Sequence, residues 1–522
     1  MSSALNIIQR TTAHAAAIEG ARPSDVQSAP GRVDIIGGLS SEAGGVVAHM
    51  ALPRRAAVAF SPRSDGQLVF YAARTIPGLF GSSDSTSANA MIRFSADDLF
   101  PATGHALPEP QRLVTRIGPA GWWTLPFTGL FYLLAKDGHY APSLAAGLSR
   151  SNIPQMRGAT IVIDSDIAMH AGQGSSTAIT AALLQVISRA AQLNLSTLEK
   201  AVLIQRAESL FGPSSGHVVD ALTILCALDG PPAHLLRYSA QPHNLMGQIP
   251  LPADVRLFAL NTGISAKRSG ETVLALRLAG DMGLRIMETI YRDLGRIHNP
   301  LHGYLGNTSP ELYRRYFRSL LPRRLRGSDF LRSYGELSPE AGLILPGEIY
   351  RVRAAVDHLV SEREHAENFL QAMEDLSEPA ASIASVRAAV VPGSPEGRQR
   401  RLVLQRAGRL LLASQHSYRL RLGLSCPQAD WLVNRLMQAG PAAGVFGARI
   451  SASGGGGTVV AMLDSSSQAT DALLQLVSDY PLEMGMPLEI QAAGAPGSAG
   501  AALSVDAAPG ADRLHTAIDK NF

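Results

Sequence analysis

One stretch constrains this 522-residue chain more than any other: Ala168-Met-His-Ala-Gly-Gln-Gly-Ser-Ser-Thr177. An apolar run at 160–163 precedes it and reads as a strand; an alanine-rich run at 178–193 follows it and reads as a helix. Gly172 and Gly174 let the backbone turn tightly and bring bare N–H groups close to an anion. Ser175, Ser176 and Thr177 stand where the helix begins, able to cap it. The helix N-terminus adds free N–H donors and the positive end of its dipole. This is the layout of a phosphate cradle, although an ordinary glycine turn with a serine N-cap would be written in the same letters. It is not the common P-loop, because no Gly-Lys-Ser/Thr follows the glycines.

The length allows two or three domains with sizeable cores. A net charge of +3 implies neither a nucleic-acid nor a membrane partner. Cys226 and Cys426 lie far apart among apolar residues and read as reduced core thiols, as in a cytoplasm. No run approaches the ~18 apolar residues of a membrane span, and the first residues lack the basic and apolar regions of a signal peptide. The expectation is a cytoplasmic protein.

Two further glycine-rich segments flank the first. Near the start, Ser28-Ala-Pro-Gly-Arg-Val-Asp-Ile-Ile-Gly-Gly38 holds a short strand at 33–36, and Gly44 and Gly45 close the loop after it. Near the end, Gly447-Ala-Arg-Ile-Ser-Ala-Ser453 runs into Gly454–Gly457 and a strand at 458–463. Between them, 56–60 reads as a strand and 75–118 as a long Gly/Ser/Pro-rich excursion. A helix covers 127–134, and Ser196-Thr-Leu-Glu199 is a capping box opening another that ends near Gly212. A helix follows Gly216, strands occupy 234–238 and 255–261, and 268–375 is mostly helical. The arginines at 314–326 read as a solvated helix surface rather than an anion site. Pro300 between His298 and His302 argues against a metal-binding helix there. A loop spans 376–398 and a helix 402–422; Ser425 reads as an N-cap before Pro427. The tail from 493 is Ala/Gly/Pro-rich and reads as disordered.

Three glycine-rich segments at strand ends, in this order and spacing, resemble the GHMP small-molecule kinases (galactokinase, homoserine kinase, mevalonate kinase and phosphomevalonate kinase). The first motif looks like 29–37, the second, the ATP-phosphate loop, like Ala171-Gly172-Gln173-Gly174-Ser175-Ser176-Thr177, and the third like 447–457. The resemblance covers roughly 28–490. Gly216-His-Val-Val-Asp220 is similar to the galactokinase segment with the catalytic aspartate, and Ser425–Asp430 also looks galactokinase-like. Gly37-Gly38, Asn261-Thr-Gly-Ile264 and Gln415-His-Ser-Tyr418 resemble the L-arabinokinase branch.

The resemblance implies a two-domain α+β GHMP kinase fold. It consists of an extension at 1–27, an ATP-binding, ribosomal S5 domain 2-like domain at 28–245, a ferredoxin-like domain with helical insertions at 246–492, and a tail at 493–522. ATP and substrate would meet between the domains. It implies transfer of the ATP γ-phosphate, with Mg²⁺, to a sugar hydroxyl, most simply the anomeric one of arabinose or a relative. Gly172, Gly174 and Ser175 would cradle phosphate. Ser176 would offer Mg²⁺ a hydroxyl and Glu208 a carboxylate; as a plain helix residue, Glu208 would be exposed. Asp220, in an apolar stretch, needs a partner or a function. By resemblance it accepts the substrate proton, with Arg32 keeping it ionised, although a structural Asp–Arg pair would explain the same residues. Gly455 and Gly456 would let backbone approach the substrate, or simply form a tight hairpin.

The acceptor side departs from the family. The sugar-binding aspartate falls on Ser41, the glutamate on Gly38, and the arabinokinase-like histidine on Ala266, with Lys267 and Arg268 beside it. Asp34 and Glu42 are the candidate substitutes, with Asn261 and Gly263 nearby in the pattern; galactose is disfavoured as the acceptor. Partners are ATP and a sugar, and the chain is expected to be a monomer or homodimer. Two other readings are a silent galactokinase-like ATP/sugar sensor and a Rossmann-type enzyme. The first would need a decayed phosphate loop or a lost aspartate. The second would need a helix, not a strand, after 454–457.

Overall fold

β5 (Gly158–Ser165) is buried along its whole length, and the first of two compact units is built around it. A computed structural model describes residues 3–18, 21–73, 76, 90–95, 110–136, 158–210, 216–229, 234–241, 243–266, 270–295, 299, 301–338, 342–377 and 394–494. Most of the excursion expected at 75–118 lies outside these residues. So do Lys267, Arg268, His298, Pro300, Gly212, most of the 376–398 loop, and the tail beyond 494.

The first unit takes Met1–Arg32 and Ala51–Pro232, and the second takes Val33–Met50 and Ala233–Gly494. The chain therefore leaves the first unit inside β1 (Asp25–Ile36) and returns to it inside β2 (Val46–Arg63). Both strands are longer than the sequence suggests. In β2 the run from Val46 to Leu52 is apolar but for His49, yet the glycines before it read as loop.

In the first unit β5 lies between β2, antiparallel, and β3 (Gln67–Ala72), parallel; β4 (Ala90–Ser95) pairs outside β3. Burial on both faces explains the mostly apolar text of β5 at 159–163. α1 (Ser3–Ala16) packs on it, with Ala15 against Ala59 and Val162. Arg10 of α1 bonds Asp164 at 2.6 Å and Asp166 at 2.8 Å, pinning the strand end that feeds the glycine loop. Beyond the short helix α2 (Pro110–Ile117), α3 (Leu125–Lys136) packs against α4 (Ser175–Ala190) and α5 (Thr197–Ser209), and α4 and α5 against α6 (Val218–Asp229). α4 is buried nearly all round, which its alanine-rich text allows. α5 opens with the expected Ser196/Glu199 capping box.

In the second unit the first residues of β2 pair with β6 (His234–Ser239), and β6 with β7 (Asn244–Pro250). β7 is mostly exposed and contains Gly247 and Pro250, so it carries little apolar signal. A separate antiparallel sheet runs β11 (Val445–Ile450), β12 (Thr458–Asp464), β8 (Val255–Asn261), β13 (Glu489–Ala492). In chain order these are second, third, first and fourth, the ferredoxin-like arrangement. Helices α7 (Gly270–Asp293), α8 (Gly327–Tyr334), α9 (Val352–Ser377), α10 (Pro395–His416) and α11 (Pro427–Ala439) stand between β8 and β11. The two-residue strands β9 (Leu325–Arg326) and β10 (Ile349–Tyr350) pair within this insertion, and α12 (Ser467–Met484) leads to β13.

Two expectations need correction. The N-cap position of α11 is Cys426, with no side-chain cap bond, and not Ser425, whose hydroxyl donates to Asp430 instead. Cys226 and Cys426 are free, as expected, but half-buried rather than core.

α10 crosses β11 at Gly408 and Gly447, where a Cβ on Gly408 would collide with the Phe446 carbonyl oxygen. Gly→Ala at an open helix position stabilises by about 0.5–1 kcal/mol. Gly408→Ala is expected to do the opposite, costing about 1–3 kcal/mol in urea unfolding through overpacking. A midpoint raised or unchanged would contradict the close crossing.

Candidate active site

β5 delivers the chain into a loop that turns at His170, Gly172 and Gly174, with φ of 59°, 73° and 73°. Gly174 is the N-cap of α4 in the left-handed conformation, and no side chain caps it. The serine cap expected from the sequence is therefore absent: Ser175, Ser176 and Thr177 are the first three residues of the helix itself. Their neighbours Ala171 and Gln173 are buried. The uncapped first-turn N–H groups and the helix dipole make the start of α4 a place for an anion. His170 stacks on Trp122, with ring centroids 5.3 Å apart.

The hydroxyls are used elsewhere. Ser176 Oγ donates to Glu208 Oε1 at 2.6 Å, and Thr177 Oγ1 lies 3.1 and 3.0 Å from the two Glu208 oxygens. Glu208 is not the exposed glutamate of the alternative reading: α5 buries it to 7% exposure, and a Cβ on Gly216 would strike it. Burial pushes its carboxyl up to about 7, and Asp220 adds to the rise; the bonds from Ser176 and Thr177 and the charge of Arg32 oppose it.

Arg32 and Asp220 face each other in this same unit. Arg32 Nε and Nη2 approach Asp220 Oδ1 and Oδ2, each at 2.6 Å. Both side chains are buried. Asp220 stands in the first turn of α6, where a carboxylate suits the helix dipole. Arg32 also belongs to the glycine loop: its Nη1 donates to Gly172 O at 2.5 Å and its backbone N–H to Gln173 O at 2.9 Å. Arg32, Asp220, Glu208 and residues 171–177 thus form one group.

The remaining predicted residues lie in the second unit. Asp34 is buried, and its carboxylate accepts from Arg449 Nη1 and Ala452 N–H, both at 3.0 Å, and from Gly38 N–H at 3.3 Å. Ser41 Oγ donates to Gly38 O. Glu42 turns toward Arg277, 3.5 Å away, and lines a cavity with Leu39, Asp281 and His358. Burial pushes the Asp281 carboxyl up to about 6, Arg277 opposing. Asn261 and Gly263 meet the third glycine segment: Thr262 N–H donates to Gly457 O, and Gly457 N–H to Ile264 O. Gly454–Gly457 all have positive φ and form the turn between β11 and β12. Asn261 spends its side chain on Glu489 and on Gly263 N–H.

Sequence reasoning did not single out Arg449 and Glu362, both fully buried. Arg449 could have been found as a lone charge in the apolar strand β11. Glu362 could not, because 361–368 alternates charges like any solvated helix face.

The model of the GHMP kinases N terminal domain matches residues 140–227, and that of GHMP kinases C terminal matches 400–482. The galactokinase of Chloroflexus aggregans is 25% identical over 90% of this chain and 91% of its own length. The L-arabinokinase of Arabidopsis thaliana is 22% identical over 89% of this chain and 45% of that longer protein. In fold, the chain is similar to the crystal structure of Lactococcus lactis galactokinase complexed with galactose, with a TM-score of 0.59 at 18% identity, covering 94% of this chain and 97% of that one. Models of both GHMP kinase domains thus match this chain, in order, and its fold is that of the GHMP kinases.

Proposed function

We propose that the chain is an ATP-dependent sugar kinase that moves the γ-phosphoryl group to a hydroxyl of arabinose or a related sugar, the anomeric one. The observation that carries the reading is the buried Arg32–Asp220 pair bonded to the backbone of Gly172 and Gln173. It ties a candidate proton acceptor to the loop that suits phosphate. The relatives are a galactokinase and an L-arabinokinase, which supports a sugar as acceptor. No observation favours the sensor alternative.

In this reading the N–H groups at 171–175 and the start of α4 hold the transferring phosphates. Asp220 takes the proton of the sugar hydroxyl as its oxygen bonds to the γ-phosphorus and the bond to the β-phosphate oxygen breaks, releasing ADP. Arg32 orients the carboxylate through one hydrogen bond and a second ion-pair contact and places positive charge where the phosphoryl group is transferred. Gly38, Ser41 and Glu42, with Asn261, Gly263, Gly455 and Gly456, form the acceptor side; Asp34 organises that side, since its oxygens are already engaged.

Ser176 and Glu208 fit Mg²⁺. They are hard oxygen donors 2.6 Å apart, and such a cation takes one or two carboxylates and completes its shell with phosphate and water. When bound, it neutralises charge on the phosphates. Among the described residues no helix is long and apolar enough to cross a membrane.

Asp220→Asn should lower kcat by about 10²–10⁴-fold, the usual share of general acid–base catalysis. ATP affinity by calorimetry and the folded circular-dichroism spectrum should be retained. Undiminished turnover would remove Asp220 from its role. An ADP-release assay over pentoses, hexoses and uronic acids tests the acceptor class, and failure of every sugar while ATP still binds would overturn it.

Glu208 gives a pH prediction for the metal-free protein. Its folded value of about 7 stands above the ordinary 4.5. The stability it contributes is therefore full below pH 4.5 and lost as the pH rises through 7. In EDTA, the melting temperature of the wild type should fall relative to Glu208→Gln between pH 5 and 8, and Mg²⁺ with nucleotide should restore it. Parallel profiles would contradict the buried, metal-seeking carboxyl.

A further inference from the structure

The 3₁₀ turn Gly38–Ala43 carries Gly38, Ser41 and Glu42. Three successive N–H groups at its start are each held by a different side chain of the second unit. Gly37 N–H donates to Glu362 Oε1 at 3.3 Å, Gly38 N–H to Asp34 Oδ1 at 3.3 Å, and Leu39 N–H to the Tyr418 hydroxyl at 3.2 Å. Gly37 needs such a hold, because its φ of 111° is reached only by glycine.

One cation unites the three acceptors. Arg449 bonds Asp34 Oδ2 and Ile35 O, both at 3.0 Å, lies over the Tyr418 ring at 5.1 Å, and has its Nη2 3.9 Å from Glu362 Oε1. Tyr418 in turn donates to Ala452 O at 2.8 Å, joining the turn to the third glycine segment. Glu362 comes from the middle of α9 and also accepts from Ser414 Oγ at 2.6 Å. Burial alone would push its carboxyl up; the His365 imidazole 3.5 Å away and the charge of Arg449 hold it below the usual carboxylate range. At 0% exposure it reaches neither phosphate nor sugar, so any effect it has on the reaction must pass through the groups it holds, of which the Gly37 N–H is the one on the turn.

We propose that Glu362 is a positioning residue for the acceptor, holding the Gly37 N–H and with it the turn at 38–43 in the shape that takes the sugar. The proposal rests on the sugar-kinase reading. A residue that only supported the fold would, when changed, lower the active fraction and leave both KM values alone.

Glu362→Gln keeps an oxygen for Gly37 and removes the charge facing Arg449; Glu362→Ala removes both. With Ala, the sugar KM should rise about tenfold, the weight of one lost buried hydrogen bond, while the ATP KM stays within about twofold. Gln should recover most of the loss. In hydrogen–deuterium exchange, the amides at 37–39 should open about tenfold faster in the Ala variant and those at 171–175 should not change. Should Ala not fold, Glu362→Asp, which keeps the charge but withdraws the oxygen, must show the same split. A fall in kcat with both KM values unchanged, or unaltered exchange at 37–39, overturns the proposal. If the wild type phosphorylates no sugar, the kinase reading fails by itself, and the exchange experiment still decides whether Glu362 holds the turn.

Discussion

A guanidinium taken out of water must find its acceptors inside the protein, and each unit is arranged around that demand. In the first unit Arg32 is answered by both oxygens of Asp220 and by the Gly172 carbonyl. In the second, Arg449 is answered by Asp34, the Ile35 carbonyl and the Tyr418 ring, with Glu362 beside it. Arg32 and Asp34 stand two residues apart in β1, so one strand supplies a charge to each arrangement. Glycine is needed around them for the same reason: a Cβ at Gly174 would sit 3.1 Å from the Arg32 side chain, and one at Gly38 would strike the Tyr418 hydroxyl.

The glycine loop and the helix after it were legible because their geometry is local. A strand, two glycines with positive φ and a helix start are consecutive in sequence, and only the cap was misread. Three hydroxyls in a row look like a cap, but Gly174 takes that position and frees Ser176 and Thr177 for Glu208. Asp220 was legible as a carboxylate in apolar text. Strand lengths were less so, since the glycines at 44–45 hid the start of β2 and β7 is too exposed to show a pattern.

The acceptor side is non-local, which is why the sequence spoke weakly there. Asp34 looked like a free carboxylate able to replace a missing sugar ligand, yet its oxygens are engaged by Arg449, Ala452 and Gly38, residues up to 418 positions away. Glu42 looked equally free, and it turns toward Arg277 on α7. Glu362 gave no signal at all, because only the packing of α9 beneath Gly37 makes it a buried charge.

A sugar kinase passes phosphate from ATP to a sugar hydroxyl rather than to water. Phosphorus NMR of the protein with Mg·ATP and L-arabinose, then with the other sugars in turn, reads that directly. Sugar phosphorylation requires loss of the γ-phosphate resonance in step with a new phosphomonoester coupled to the anomeric proton of one sugar. Inorganic phosphate as the sole product, or ATP left intact with every sugar, would contradict it.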